Sequence, residues 1–244
     1  RLCCSMFEPE RNCQRNTSFH VTVFSFAAEK LKDSIIIFMI GGPGSGKDVQ
    51  SIRLASKYDF SHVAIGELLW EEASRNTSKS KAIRDILMKG ALVPSGYVLE
   101  LLTDKMLKAE NVKGFFIEGF PREINQAKLF EEVVGRLPNI VIVFDCSTET
   151  MIQRLMIRSQ LGQRVNNNEK TIRQQLETHY TLCDPVLTYY LQRSILRNVG
   201  LYLLPFPPIL GKEGLADGDG RTMLSLILFW TKATLSNKDA RSLH

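Results

Sequence analysis

Residues 35–47 read Ile35-Ile36-Ile37-Phe38-Met39-Ile40-Gly41-Gly42-Pro43-Gly44-Ser45-Gly46-Lys47, an apolar run that passes straight into a glycine-rich loop ending in lysine. Behind it, Val49-Gln50-Ser51-Ile52-Arg53-Leu54-Ala55 has the pattern of a helix. Glycines let backbone N–H groups converge on phosphate oxygens, the helix start adds its positive end, and the lysine adds a mobile charge. Strand before, helix after, and the spacing from Gly41 to Lys47 together predict a nucleoside triphosphate site. Such loops carry Ser or Thr after the lysine to help hold Mg²⁺; here Asp48 and Val49 follow. A carboxylate about 5 Å from a phosphate charge costs about 3 kcal/mol at an effective dielectric of about 20. The alternatives are that Asp48 faces away or recruits a cation itself.

Outward from this stretch, further apolar runs of strand length occur at His62-Ile65, Gly114-Ile117, Ile140-Phe144 and Ile195-Val199. Between them lie amphipathic stretches long enough for helices: Val49-Lys57, Ser80-Lys89, Tyr97-Lys108, Asn125-Val134 and Glu149-Gln160. Alternation of the two predicts right-handed crossovers and a parallel sheet covered on both faces. Continuous rather than alternating apolar strands agree with double-sided burial, so the middle of the chain reads as an α/β domain. No repeat period is visible. After Gly200 the character changes: Leu204-Pro205-Phe206-Pro207-Pro208 breaks regular structure, and four glycines fall between Gly211 and Gly220.

The 244 residues are 44% hydrophobic and 23% charged, which suits a folded chain of one domain or two small ones. The net charge of +5 fits anionic small molecules and is too slight to argue for nucleic acid. Met223-Trp230, the longest apolar stretch, is too short for a membrane span and contains Ser225. Five cysteines (Cys3, Cys4, Cys13, Cys146, Cys183) cannot all pair and show no zinc-type spacing, which suggests a reducing, cytoplasmic setting. Glu8 and Glu10 stand before the apolar residues 21–28, a pattern unlike a signal peptide. The four histidines are scattered and read as surface or structural residues.

A second motif, Gly119-Phe120-Pro121-Arg122, follows Phe115-Phe116-Ile117-Glu118. With the glycine loop, Gly66-Glu67-Leu68-Leu69 and Gln163-Arg164-Val165-Asn166-Asn167-Asn168, it resembles the adenylate kinase family of nucleoside monophosphate kinases. The likeness covers residues 34–199 in the family's short-lid form. It implies a P-loop three-layer α/β/α fold with a five-stranded parallel sheet, a monophosphate-binding insert at about 64–93 and a lid at about 158–168. Residues 1–33 and 200–244 match nothing in the family; Thr222–Leu235 could replace its closing helix.

The resemblance also implies roles. Gly42, Gly44, Ser45, Gly46 and Lys47, with Asp48 and Val49 in the altered positions, would form the ATP phosphate cradle. Arg154 and Arg158, four apart on one helix face, would join Arg164 around the transferring phosphoryl group. Arg122 would clamp the acceptor monophosphate, Gly119 would shape its turn, and Gln126 would read the base. Ala91, Leu92 and Val93 would wall the base pocket. Lys47, Arg122, Arg158 and Arg164 would carry catalysis, and Mg²⁺ would enter with ATP on the side of Glu118.

At several positions the chain departs from the family. Ile65 replaces a threonine, Trp70 an arginine that grips the monophosphate, Gln175 a lid-side arginine, and Asn166 and Asn167 two lid aspartates. Trp70 either stacks on a base or packs in the core beside Leu68 and Leu69. Asp145 reads as a helix N-cap or strand-end residue in preference to a metal carboxylate, and Cys146 and Cys183 as buried small hydrophobes. The expected activity is transfer of the ATP γ-phosphoryl to AMP or a similar monophosphate by a monomer, with no nucleic-acid or membrane partner. The alternative is a nucleotide-binding module with little or no turnover.

Overall fold

A computed structural model of the chain describes residues 26–160 and 169–200. The chain divides into two units, residues 1–199 and 200–244, and the description below concerns the first apart from Gly200. The tail from 201 onward, residues 161–168 (most of the expected lid) and residues 1–25 lie outside the described residues.

Five strands form one sheet: β1 (Ile35–Gly41), β2 (Ser61–Ala64), β3 (Gly114–Glu118), β4 (Ile140–Asp145) and β5 (Leu196–Gly200). Their order is β2-β3-β1-β4-β5, with β1 parallel to β3 on one side and to β4 on the other. Residues Ile36–Ile40 of β1 are all buried, as the unbroken apolar run predicts for a strand covered on both faces. The chain runs from central β1 out to the edge strand β2, back to β3, then across β1 to β4. Connections from β1 and β3 therefore diverge to opposite sides, leaving a crevice at the carboxyl ends of the central strands, where α/β sheets bind ligands. Gly41, Glu118 and Asp145 end those strands.

The helices are α1 (Lys47–Tyr58), α2 (Ile65–Ala73), α3 (Ser78–Met88), α4 (Ser95–Lys108), α5 (Ile124–Val134), α6 (Thr148–Gln160) and α7 (Glu169–Gln192). Five fall where the amphipathic pattern predicts them. Ile65 is a departure: it begins α2 instead of ending β2. α7 is a further addition, carrying Pro185 inside it.

The main core centres on Phe38, whose ring meets Phe120, Phe130 and Tyr190 edge-on at 5.3, 5.0 and 6.1 Å. Full burial of each such side chain contributes about 1.5–3 kcal/mol. A smaller cluster of Met151, Leu155, Ile172 and Leu176 joins α6 to α7. A short helical stretch over residues 26–31 buries Ala27 and Leu31 in the main core. Arg136 secures it by donating to the carbonyls of Leu31 and Ser34 and to Asn139 Oδ1, which also accepts from the Ile36 N–H at 2.8 Å. Part of the segment that matches no family pattern thus belongs to the fold.

Candidate nucleotide site

The glycine loop leaves β1 and enters α1 through Gly46, whose φ of 87° places it in the left-handed region. Gly46 at the N-cap has no side chain to cap α1, and of the first N–H groups that of Val49 donates to the Asp48 carboxylate. Gly44 has φ of 81°, and a β-carbon there would come within 2.8 Å of the Met151 carbonyl oxygen and 3.0 Å of Leu155 Cγ. The loop therefore rests directly on α6. A β-carbon on Gly42 would meet Met151 Sδ at 2.6 Å and His179 Cδ2 at 3.4 Å, which brings α7 to the loop as well.

Lys47 Nζ donates to the Gly42 carbonyl at 3.3 Å and lies 3.9 Å from Glu118 Oε1. The other Glu118 oxygen is 3.3 Å from His62 Nε2, within ion-pair reach but outside hydrogen-bond geometry. Ser45 Oγ is buried without a hydrogen-bond partner. From α6, Arg154 Nη1 donates to the carbonyls of Gly44 and Ser45 at 3.3 and 3.5 Å and approaches Cys146 Sγ at 3.5 Å. One turn later, Arg158 Nη2 donates to Asp48 Oδ2 at 2.5 Å. Asp48 thus neither faces away nor stands alone. Burial pushes its carboxyl up, but Arg158, then Lys47 and the Val49 N–H, more than offset this and hold it below the usual carboxylate range.

His179, which the sequence reading takes as a surface or structural residue, lies beside the loop. Burial first, then the charges of Lys47 and Arg122, push its imidazole down to about 4. Both the loop lysine and the Gly-Phe-Pro arginine act on this one ring. The signal was available: Ile172, Leu176, His179, Cys183, Val186 and Tyr190 step by three or four along one face of α7, and all but His179 are buried.

On the other side of the crevice, Gly119 has φ of 74°, and the Phe120–Pro121 bond is cis. Arg122 is exposed; its Nε donates to the Gly119 carbonyl at 3.3 Å. Gln126, expected to read a base, is 2% exposed, and its Oε1 accepts from the Arg122 N–H at 2.9 Å. Its oxygen is thus committed to shaping the arginine's loop. Ser95 Oγ donates to Glu123 Oε1, tying the start of α4 to the same loop. Ala91 is exposed, Leu92 half-buried, and Val93 and Ile65 belong to the core.

Several expectations are corrected. Trp70 is 40% exposed, which removes the core-packing alternative. Ser147, not Asp145, takes the N-cap position of α6, accepting from the Thr150 N–H at 3.3 Å; Asp145 is an exposed strand-end residue. Cys183 is a buried small hydrophobe, but Cys146 is half-buried and touches Arg154. Gln175 lies against the Gly90 turn, where a β-carbon would sit 3.3 Å from its Cγ. Arg164, Asn166 and Asn167 fall outside the described residues.

Among the described residues, no group of three or more His, Cys, Asp or Glu is placed to cage a metal. Glu118 and Asp48, the carboxylates nearest the loop, lie beside Lys47 and Arg158. That donor set suits Mg²⁺ brought in by a nucleotide, with phosphates and waters supplying most ligands. No helix among the described residues is long and apolar enough to cross a membrane.

Comparison with known proteins places these features in context. A family model described as Adenylate kinase matches residues 39–195. Mouse adenylate kinase isoenzyme 5 is 47% identical over 172 residues, covering 70% of this chain but 30% of that protein. Bovine isoenzyme 5 is 44% identical over 196 residues, covering 80% of this chain and 34% of that protein. The chain thus spans about a third of the length of the isoenzyme 5 relatives. Human adenylate kinase isoenzyme 1 is 43% identical over 172 residues, covering 70% of this chain and 88% of that protein.

Proposed function

Because this chain belongs to the adenylate kinase family, we propose that it transfers the γ-phosphoryl group of ATP to AMP or a similar nucleoside monophosphate. The gathering of cations carries this reading. Lys47, Arg154 and Arg158 reach the glycine loop or its first helical turn, and Lys47 and Arg122 both act on His179. Phosphoryl transfer needs little covalent chemistry from a protein and much charge neutralisation and alignment. Lys47 and the α1 N–H groups would hold the donor phosphates, Arg122 the acceptor phosphate, and Arg154, Arg158 and Arg164 the group in flight. Trp70, exposed near the acceptor side, would stack on a base. Glu118 is the carboxylate toward which Mg²⁺ would be held, through water. When bound with ATP, Mg²⁺ neutralises charge on the phosphate oxygens.

Cys146 is half-buried and Cys183 buried, both free thiols; a reducing, cytoplasmic setting is proposed from the cysteine pattern of the sequence. In this reading residues 34–199 form the kinase domain, with its insert at about 64–93 and lid at about 158–168.

One observation favours a second reading, a module that binds nucleotide with little turnover: Arg158, an intended phosphate ligand, is engaged by the chain's own Asp48. The deciding experiment measures nucleoside diphosphate formation from ATP–Mg²⁺ across AMP, UMP, CMP and GMP, with Lys47→Ala alongside. Turnover with an acceptor, lost in the variant, is the expected result. ATP binding without turnover above the Lys47→Ala background would leave the binding-module reading.

A further inference from the structure

The ion pair between Asp48 and Arg158 joins two elements that a donor must touch. Asp48 lies in the first turn of α1, immediately after Lys47, and Arg158 in the last turn of α6. Their contact is 2.5 Å, and the side chains are 27% and 37% exposed, so an incoming anion can reach both. A helix start without a side-chain cap, a lysine and an arginine together form a receptor for phosphate oxygens. Within that receptor the chain supplies its own anion, since a carboxylate offers an arginine the same pair of charged oxygen acceptors that a phosphate does.

We propose that Asp48 is an internal competitor for the donor's polyphosphate chain, holding Arg158 until a triphosphate displaces it. The exchange is of one oxygen partner for another on the same guanidinium. Asp48 then sets donor affinity through Arg158 and takes no part in bond making. Simple repulsion between Asp48 and phosphate predicts something different: Arg158 would screen it, so removing the carboxylate would help most when Arg158 is absent. Competition predicts that removal helps most when Arg158 is present.

The proposal rests on the donor site assigned above, and a double-mutant cycle separates the two. The parent chain, Asp48→Asn, Arg158→Ala and the double variant are titrated calorimetrically with ATP–Mg²⁺ and with inorganic tripolyphosphate. The pair is partly exposed, so each variant should fold, and a thermal melt of each confirms it. Expected is about tenfold tighter binding on Asp48→Asn in the parent background and at most about twofold in the Arg158→Ala background. An equal or larger gain without Arg158, or no gain in the parent, overturns the competition while leaving the nucleotide site intact. If ATP binds no variant but tripolyphosphate gives the expected cycle, the nucleotide reading fails and the competition stands. If neither binds any variant, both fail.

Discussion

His179 occupies a position that should hold an apolar residue, on the buried face of α7 where that helix meets the glycine loop. Burial, Lys47 and Arg122 all disfavour its proton, so it remains neutral in the folded state down to about pH 4, whereas an unfolded histidine takes up a proton near 6.5. Between those values the unfolded chain binds the extra proton, and His179 therefore costs stability as the pH falls from about 6.5 toward 4. Above 6.5 both states are neutral and the effect vanishes. In His179→Gln, urea midpoints should fall less steeply across that window than in the parent. Equal slopes would mean that the imidazole is not shielded as the geometry indicates. Bound polyphosphate would offset the Lys47 and Arg122 charges, so the His179 midpoint followed by NMR should rise on adding ATP.

Among elements, α6 bears most on the site, because the glycine loop lies on Met151 and Leu155 while Arg154 grips its carbonyls. Leu155 is 6% exposed and packs with Met151, Ile172 and Leu176. Leu155→Ala should lower stability by about 2–4 kcal/mol through the cavity it leaves. It should also weaken ATP binding severalfold, since the loop loses its floor. Chemical denaturation and calorimetry check the two effects separately. β3 offers a packing counterpart: a β-carbon on Gly114 would come 2.4 Å from the Ile35 carbonyl oxygen and 2.8 Å from Phe60 Cε2. Gly114→Ala should cost about 1–3 kcal/mol by forcing β1 and β3 apart.

Legibility at this scale follows pattern strength. β1, β3 and β4 are legible because each holds a continuous apolar run, β2 and β5 less so because His62 and the Arg197-Asn198 pair interrupt them. Five of the helices are legible because their apolar spacing is regular. α7 escapes because His179 interrupts its stripe and Pro185 signals a break, although the helix continues through both. α2 escapes because Gly66 and the preceding apolar run read as the end of a strand.

At the scale of the whole molecule, the site is assembled from segments far apart in sequence, and that limits what the chain reveals unfolded. The glycine loop is legible from its own spacing, whereas Arg122, Arg154 and Arg158 are singled out only through the family resemblance, and the structure adds that Arg154 and Arg158 reach the loop and its first helical turn. The Asp48–Arg158 pair is not legible, because its partners lie 110 positions apart. Nor is the commitment of the Gln126 oxygen to the Arg122 N–H, since a motif names a residue without fixing its hydrogen bonds. Of the altered positions, Asp48 and Val49 stand in the first turn of α1 after the loop, and Trp70 is assigned to the acceptor side by the proposed function alone. None of the three is a core residue, and Val49 and Trp70 are 37% and 40% exposed. Replacing Val49 and Trp70 should therefore leave stability within about 0.5 kcal/mol each, whereas Asp48→Gly gives up the Arg158 ion pair and sets glycine in the first turn of α1, a cost of about 1 kcal/mol. A charge-assisted contact contributes about 1.5–3 kcal/mol, and each 1.4 kcal/mol or so is a factor of about ten in rate. Asp48→Gly with Val49→Thr and Trp70→Arg should therefore raise turnover of ATP and AMP by tenfold or more, about the effect of one such contact regained. The gain should appear in kcat/KM for both substrates, with a melting temperature lowered by no more than a few degrees. A variant that folds as the parent does, binds ATP more tightly and still fails to turn over would mean that catalysis is blocked beyond these three positions, with Gln175 the next replacement to reverse.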